Sequence, residues 1–520
     1  MMGRIYSSAE QVLVWLGPAE KNSDDAMEFY AEVGQAALDI KLQDYYTPEE
    51  FPVLQGILSD RNSDDPRWQK LSAVIQKANA SLLQCLQAVA DWDKRLWMKR
   101  VWVIQEFCLG ANPYFICGAR RVPVDFVKFT RLLVGYGSSS RESLPKLCDE
   151  CQPLLADIIM NDLMPPIFSA RIQRQKFERR VGAGDTLLEL LRKAYVQRQT
   201  EATDRRDRVF GLLGLARDAK QIGVQADYTK TELQALTDAA RAIIQSGELE
   251  ILSFVQFPKD NDSLPSWVPD WHPNLRPSFY PYPRPGGQQL FSPAGDGLPV
   301  ILPSADSTIL GLKGFLVDTV EDVGSVFSDE GRDSLRYQEW LSQARFLCQI
   351  SAMKNELIYV SEQRRKEAVW RTPIANIYER NPPERSRRGD FQTAQAFEDW
   401  NKTQDYFEAW KVTQSWEEFK RGKEALPSDE EPGMYRLSMA KMNGMRLYIT
   451  HRGYVGMGTS LMCSGDVVVV FLGARVCSVL RPKGRRGDKE AYFYLGEAYC
   501  DGVMDGELLG HRDEKEFYLV

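Results

Sequence analysis

Apolar residues crowd most tightly between Trp97 and Gly110. Set on a helix at 100° per residue, Trp97, Val101, Ile104 and Cys108 form one stripe and Met98, Trp102 and Leu109 the next, while Val103 and Phe107 cover much of the rest. A helix apolar almost all round is a buried one, so the pattern predicts a buried helix over about 94–110, stopped by Gly110 and Pro113. Upstream, Arg4 to Glu10 reads as the tail of a helix, and Gln11 to Leu16 as a buried strand closed by Gly17-Pro18. Residues 22–95 read as helices with polar loops. One opens at Ser23 with Asp24 and Asp25 in its first turn, and another spans Ser72 to Ala90. Tyr114 to Gly118 is a short strand, and Pro123 and Asp125 lead into a further helix. Strand, helices, buried helix and strand in that order predict an α/β layer domain.

Residues 130–260 read as mostly helical. Asp185 is placed to cap a helix from Thr186 to Tyr195, and Thr203-Asp204 to cap the run Arg205 to Leu215. Glu232 to Ser246 is a further helix, and Leu264 to Trp271 an extended connector punctuated by proline, whose two tryptophans clamp onto a domain surface. Pro281, Pro283, Pro285, Gly286 and Gly287 mark a linker. Strand patterns return at Ile309 to Val323 and again in 445–520, on either side of a charged helical stretch whose Pro382 to Asp390 reads as a mobile loop. The predicted organisation is a partial α/β module over 1–130, a mainly helical region over 131–273 and a Pro/Gly-rich linker over 274–304. A small β-barrel or sandwich follows, built from 305–328 with 440–520 and interrupted by a helical insertion over 329–439.

Composition changes this picture little. The 520 residues are 43% hydrophobic, 11% aromatic and 26% charged, as in ordinary globular domains. A net charge of −7 without a long basic stripe argues against nucleic acid as a partner. No apolar run approaches the roughly 20 residues of a membrane-spanning helix, and the nine scattered cysteines suggest a reducing, cytoplasmic setting.

Candidate chemistry is sparse. The three histidines, His272, His451 and His511, form no metal or triad spacing, and neither HExxH nor GxSxG occurs. Cys148 and Cys151 make a lone CxxC without a second pair, better read as two ordinary helix cysteines. Gly453 to Gly458 lacks the order of a phosphate loop and reads as a turn that needs glycine. No metal or cofactor is called for. Glu106 stands out. It lies in the last helical turn, where the dipole disfavours a negative charge, and its helical neighbours Trp102, Val103, Leu109 and Gly110 offer no cation. Such a carboxylate is either a functional group or a structural one paired through the fold, with Arg4, Arg100 or Arg121 as partners; the residues leave both readings open.

Several blocks carry a resemblance. Met2 to Gly17 resembles the middle of the fungal heterokaryon incompatibility (HET) domain, and Arg100 to Glu106 its RxWxxQE block. Ala202 to Leu215, Leu264 to Trp271, Arg452 to Gly458 and Gly496 to Glu507 are similar to segments that follow the domain in large HET proteins. The two strand motifs with which such domains open are absent, so the chain is expected to start inside the domain. The resemblance implies fungal non-self recognition and cell death, with self-association or an incompatibility partner. It also implies a TIR-like, flavodoxin-like α/β module, a remote relative of domains some of which cleave NAD. The relatives' WCxxE motif is mirrored in Trp102 to Glu106 with Val103 in place of cysteine. On that resemblance Glu106 would be the catalytic carboxylate of an NAD glycohydrolase, Trp102 would shape the site, and NAD would be substrate rather than cofactor. The alternative is a non-enzymatic HET protein that acts as an interaction or regulatory module.

Overall fold

Residues 2–45, 53, 66–110, 112–138, 184–197, 200–272, 275–279, 290–329, 334–354, 358–379, 386–413 and 430–520 are described by a computed structural model. They divide into one unit of Met1–Glu232 with Trp271–Leu275, and a second of Leu233–Asp270 with Arg276–Val520. The CxxC at Cys148 and Cys151, the linker prolines 281, 283 and 285, and most of the Pro382 loop lie outside the described residues.

The first unit runs α1 (Met2–Ser8), β1 (Leu13–Trp15), α2 (Ser23–Asp39), α3 (Pro66–Asp93), α4 (Leu96–Lys99), α5 (Trp102–Leu109), β2 (Tyr114–Cys117), β3 (Arg120–Pro123), α6 (Val124–Ser138), α7 (Leu187–Arg192) and α8 (Asp207–Phe210). β1 pairs parallel with β2, Leu13 opposite Tyr114, and β3 turns back antiparallel on β2. The acids Asp24 and Asp25 favour the N-terminus of α2, whose Phe29, Tyr30, Val33 and Ala37 are buried. Phe115 on β2 is the hub of this core. Trp92 meets it edge-on at 5.0 Å, Trp97 edge-on at 5.7 Å and Phe107 stacked at 6.3 Å.

Three local expectations change here. β1 is not a buried strand: Leu13 and Trp15 are 56% and 55% exposed, because successive side chains point to opposite faces and only the alternate residue, Val14, faces the core. The predicted long helix is two short ones. Arg100 is extended between them and bridges Glu201, with Val101 N donating to Glu201 O at 3.0 Å and Glu201 N to Lys99 O at 2.6 Å. Finally, Thr186 rather than Asp185 caps α7, in a reciprocal box with Glu189, while Asp185 holds Lys193 at 2.7 Å.

The second unit opens with α9 (Glu232–Gln245) and continues through β4 (Ile301–Leu302), β5 (Leu310–Val326), α10 (Ser334–Met353), α11 (Glu362–Arg371), β6 (Ile377–Tyr378), β7 (Arg387–Arg388), α12 (Phe391–Thr413), α13 (Glu430–Ala440), β8 (Met445–Thr450), β9 (Val455–Thr459), β10 (Val467–Phe471), β11 (Cys477–Arg486), β12 (Lys489–Cys500) and β13 (Glu514–Leu519). Eight strands form one sheet in the order β10-β11-β12-β13-β5-β8-β9, with β4 on β5. The pairings are antiparallel except that of β12 with β13. The seventeen-residue β5 is the spine, paired with β13 and β10 in its first half and with β8 in its second. Tyr337, Trp340 and Leu341 of α10 share a buried cluster with Leu447 and Ile449 of β8 and Val468 and Val470 of β10, so the helical insertion packs on the sheet.

The stretch Gly453 to Gly458 is only partly a turn. Gly453 turns with φ 98°, but Val455–Thr459 is strand β9, in which a side chain at Gly456 would run into the Tyr448 ring and the Tyr499 carbonyl. Trp267 is fully buried, its indole donating to Thr308 O at 2.8 Å, so the proline-rich connector supplies core rather than surface.

Candidate functional site

Helix α5 carries both residues singled out from the sequence, and their side chains go to different neighbours. The Trp102 indole donates to Asp207 Oδ2 at 2.8 Å. Asp207 also accepts from the Tyr228 hydroxyl at 2.5 Å, and burial together with that carboxylate pushes the Tyr228 pKa up. One turn on, Gln105 is buried and donates to Gly211 O at 2.8 Å. Gly214 lies against the same amide, so close that a Cβ there would stand 3.0 Å from Gln105 Oε1. Trp102 and Gln105 therefore bind α5 to the segment 207–214 that the sequence presents as a separate block.

That segment is short of helix because side chains take its backbone groups. Asp204 accepts from Arg206 N at 3.0 Å in a local turn, and its carboxyl is held below the usual range chiefly by the Arg206 guanidinium. Arg206 also spans to the carbonyls of Tyr228 and Lys230 at 2.8 and 2.9 Å. Only Asp207–Phe210 is helical, where a longer helix capped by Thr203-Asp204 is expected.

Glu106 faces the other way and is half-buried. The Trp97 indole reaches its Oε2 at 3.4 Å, and the Tyr6 hydroxyl of α1 hydrogen-bonds it. Burial first, then the Glu106 charge, pushes the Tyr6 pKa up to about 12. Arg100 and Arg121, two of the cations expected as partners, form no ion pair with Glu106; the Arg4 side chain lies outside the described residues. Two cavities of this unit, one of about 450 Å³ beside Gly17 and Trp92 and one of about 560 Å³ beside Leu42 and Leu71, do not include Glu106 or Trp102.

The second unit holds charged residues that the sequence reading did not single out. Glu497, Asp501 and Asp505, four residues apart, each take an arginine from a distant segment. Arg364 grips the fully buried Asp501 with two bonds of 2.8 and 2.9 Å, and the Tyr499 hydroxyl adds a third at 2.5 Å. Glu497, 1% exposed, lies 3.5 Å from Arg276 and accepts from Ser278 Oγ at 2.6 Å and Phe279 N at 2.9 Å. Burial raises the Glu497 pKa against these partners. Arg388 pairs with Asp505, its Nη2 2.8 Å from Oδ2. The four-residue spacing of acids was the available signal, but inside a strand and turn it has no helical meaning. His451 and His511 are exposed, and the seven described cysteines outside the CxxC are free thiols. No described helix is long and apolar enough to cross a membrane.

Comparison with known proteins brings these parts together. The family model described as heterokaryon incompatibility protein (HET) matches residues 1–106, ending on Glu106, and the one described as Het-6 beta-barrel domain matches residues 307–520. Heterokaryon incompatibility protein 6, OR allele, of Neurospora crassa is 32% identical over all of this chain and 80% of its own length. No solved structure gives a match.

Proposed function

The chain belongs to the heterokaryon incompatibility protein family, and from that premise we propose that it acts in fungal non-self recognition, where incompatible cells fuse and one response is cell death. The observation that carries this is the likeness to the Neurospora crassa protein across the entire chain, both units included. The parallel β1–β2 pair with its flanking helices supports reading residues 1–130 as part of a TIR-like α/β module. The additional pairings of β10 with β5 and β12 with β9 support a closed barrel in the second unit.

Within this role two readings of the first unit remain. In one, Glu106 is the catalytic carboxylate of an NAD glycohydrolase. It would hold the ribose hydroxyls and stabilise positive charge as the bond to nicotinamide breaks and water adds at the sugar carbon. Its partial exposure and the two donors that fix it, Trp97 and Tyr6, favour that role. In the other, the unit is a non-enzymatic interaction module and Glu106 ties α1 to α5. The hydrogen bond between Tyr6 of α1 and Glu106 of α5, which joins the two helices, favours this one.

The test is nicotinamide release from NAD by the purified chain and by Glu106→Ala, alongside expression of both in a strain of the opposite incompatibility type. Turnover lost in the variant supports the catalytic reading. Turnover equal in both, or absent from both, removes it. Growth arrest in the opposite type supports the incompatibility role, and unchanged growth of the fused cells overturns it.

A further inference from the structure

The hairpin that joins β11 to β12 is a strongly charged surface feature of the second unit. Arg481 to Glu490 holds five cations and two acids in a chain whose net charge is −7. Pro482 to Glu490 are all exposed, although the strands continue inward as the buried Cys477 to Leu480 and Ala491 to Cys500 with few breaks. The tip is therefore a ribbon open on both faces.

Its charges are not all spoken for. Arg481, at the base, is committed to Asp466 at 2.8 Å, and Arg485 stands opposite Glu490 across the ladder. Arg486, however, stands directly opposite Lys489. Like charges in register across a ladder destabilise a hairpin, and the turn Gly487-Asp488 between them supplies one carboxylate for two cations. Lys483 and Lys489 rest over the rings of Phe493 and Tyr518 at 5.3 and 4.1 Å, which positions them without neutralising them. Asp306, the acid beyond the hairpin that Arg486 influences, takes its main stabilisation from Thr308.

Charged residues and proline commonly guard strand edges against pairing. Pro482 and the irregular register between Pro482 and Arg485 already do that here. Guarding an edge does not require two cations face to face, so this local conflict points to a ligand that resolves it. We propose that the hairpin tip, through Lys483, Arg485, Arg486 and Lys489, is a docking surface for a short acidic segment of a partner protein.

The extent of the patch selects that partner. A bilayer or a nucleic acid presents a long field of phosphates, which the acidic remainder of the chain would oppose. The tip offers no exposed aromatic ring for bases to stack on and no apolar side chain beyond Pro482 to enter a membrane. A few extended acidic residues would touch the ribbon alone, and its guanidinium forks suit carboxylates.

The experiment uses the full chain and a labelled acidic peptide of roughly eight alternating Glu and Asp residues, followed by fluorescence anisotropy at about 50 mM salt. Anionic vesicles containing phosphatidylserine and a single-stranded DNA oligonucleotide serve as parallel probes. The variant Lys483→Gln, Arg485→Gln, Arg486→Gln, Lys489→Gln is compared with a control carrying glutamine at the exposed Lys366, Lys402, Lys441 and Lys515. Peptide affinity should fall at least about tenfold in the hairpin variant and by less than about twofold in the control. Absent peptide binding, equal losses in both variants, or hairpin-dependent binding stronger to vesicles or DNA than to the peptide would each overturn the proposal.

Discussion

Trp102 and Asp207, 105 positions apart, meet in a hydrogen bond of 2.8 Å from the indole nitrogen to the carboxylate. Two blocks that look independent in the sequence are therefore one structural joint, with Gln105 and Gly211 as its second contact at 2.8 Å. A joint of this kind can be measured. Trp102→Phe and Asp207→Asn should each destabilise the first unit by about 1–2 kcal/mol, since each leaves a polar group short of its partner. The double variant should cost less than the sum of the two. Urea unfolding followed by tryptophan fluorescence supplies the cycle, and strict additivity would dissolve the joint.

Tyr6 reports on Glu106 without any assumption about catalysis. Its phenol is raised to about 12 by burial and by the Glu106 charge, so Glu106→Gln should bring the value down while leaving the burial contribution. A raised phenol contributes stability that is present below the ordinary value of 10 and is lost as pH climbs toward 12. NMR of tyrosine labelled at Cζ, with Tyr6→Phe to assign the signal, reads the change. An unmoved Tyr6 titration in Glu106→Gln would separate the two side chains.

Arg364 and Asp501 should behave as a buried pair. Removing the cation alone, as Arg364→Met, strands a carboxylate with no exposure, at a cost of about 3–5 kcal/mol. Arg364→Met with Asp501→Asn should recover much of that loss. Calorimetric melting of the full chain tests both, and a double variant as unstable as the single one would refute the pairing.

Glu497 makes a signed pH prediction. Its carboxyl titrates above the ordinary 4.5 because it is buried. The folded state therefore binds the proton more tightly than the unfolded one, and the resulting stabilisation is complete below 4.5 and lost as pH rises through the folded value. The stability of the native chain relative to Glu497→Gln should thus widen as pH falls from 7 toward 4.5. A difference flat across that range in urea titrations would contradict the raised value.

How much of this was readable beforehand divides along physical lines. Strands β8, β10 and β12 follow from runs such as Val467 to Phe471, because their pattern is local and repeats. Gly110 as the end of α5 is local too, its N–H bonding Glu106 O at 3.2 Å. The break at Arg100 was not legible, because it depends on a bridge to Glu201 that no local window contains. Leu13 and Trp15 misled for a similar reason, since an apolar side chain reads as buried whether or not another layer covers its face of the sheet. The candidate site shows the same split. Glu106 was visible as an awkward charge on an apolar helix, whereas Tyr6 and Trp97 became its setting, and Asp207 that of Trp102, only through tertiary contact.

The series Glu497, Asp501 and Asp505 has a consequence for the order in which the second unit can form. Their arginines, at 276, 364 and 388, lie 221, 137 and 117 residues earlier in the chain. During synthesis those guanidiniums emerge long before the carboxylates that will hold them, and domains tend to fold as whole units once their parts are available. Closing the helical insertion over the sheet before residues 497–505 arrive would bury cations without partners, which is strongly unfavourable. The second unit is therefore expected to close only once residues 497–505 have been made.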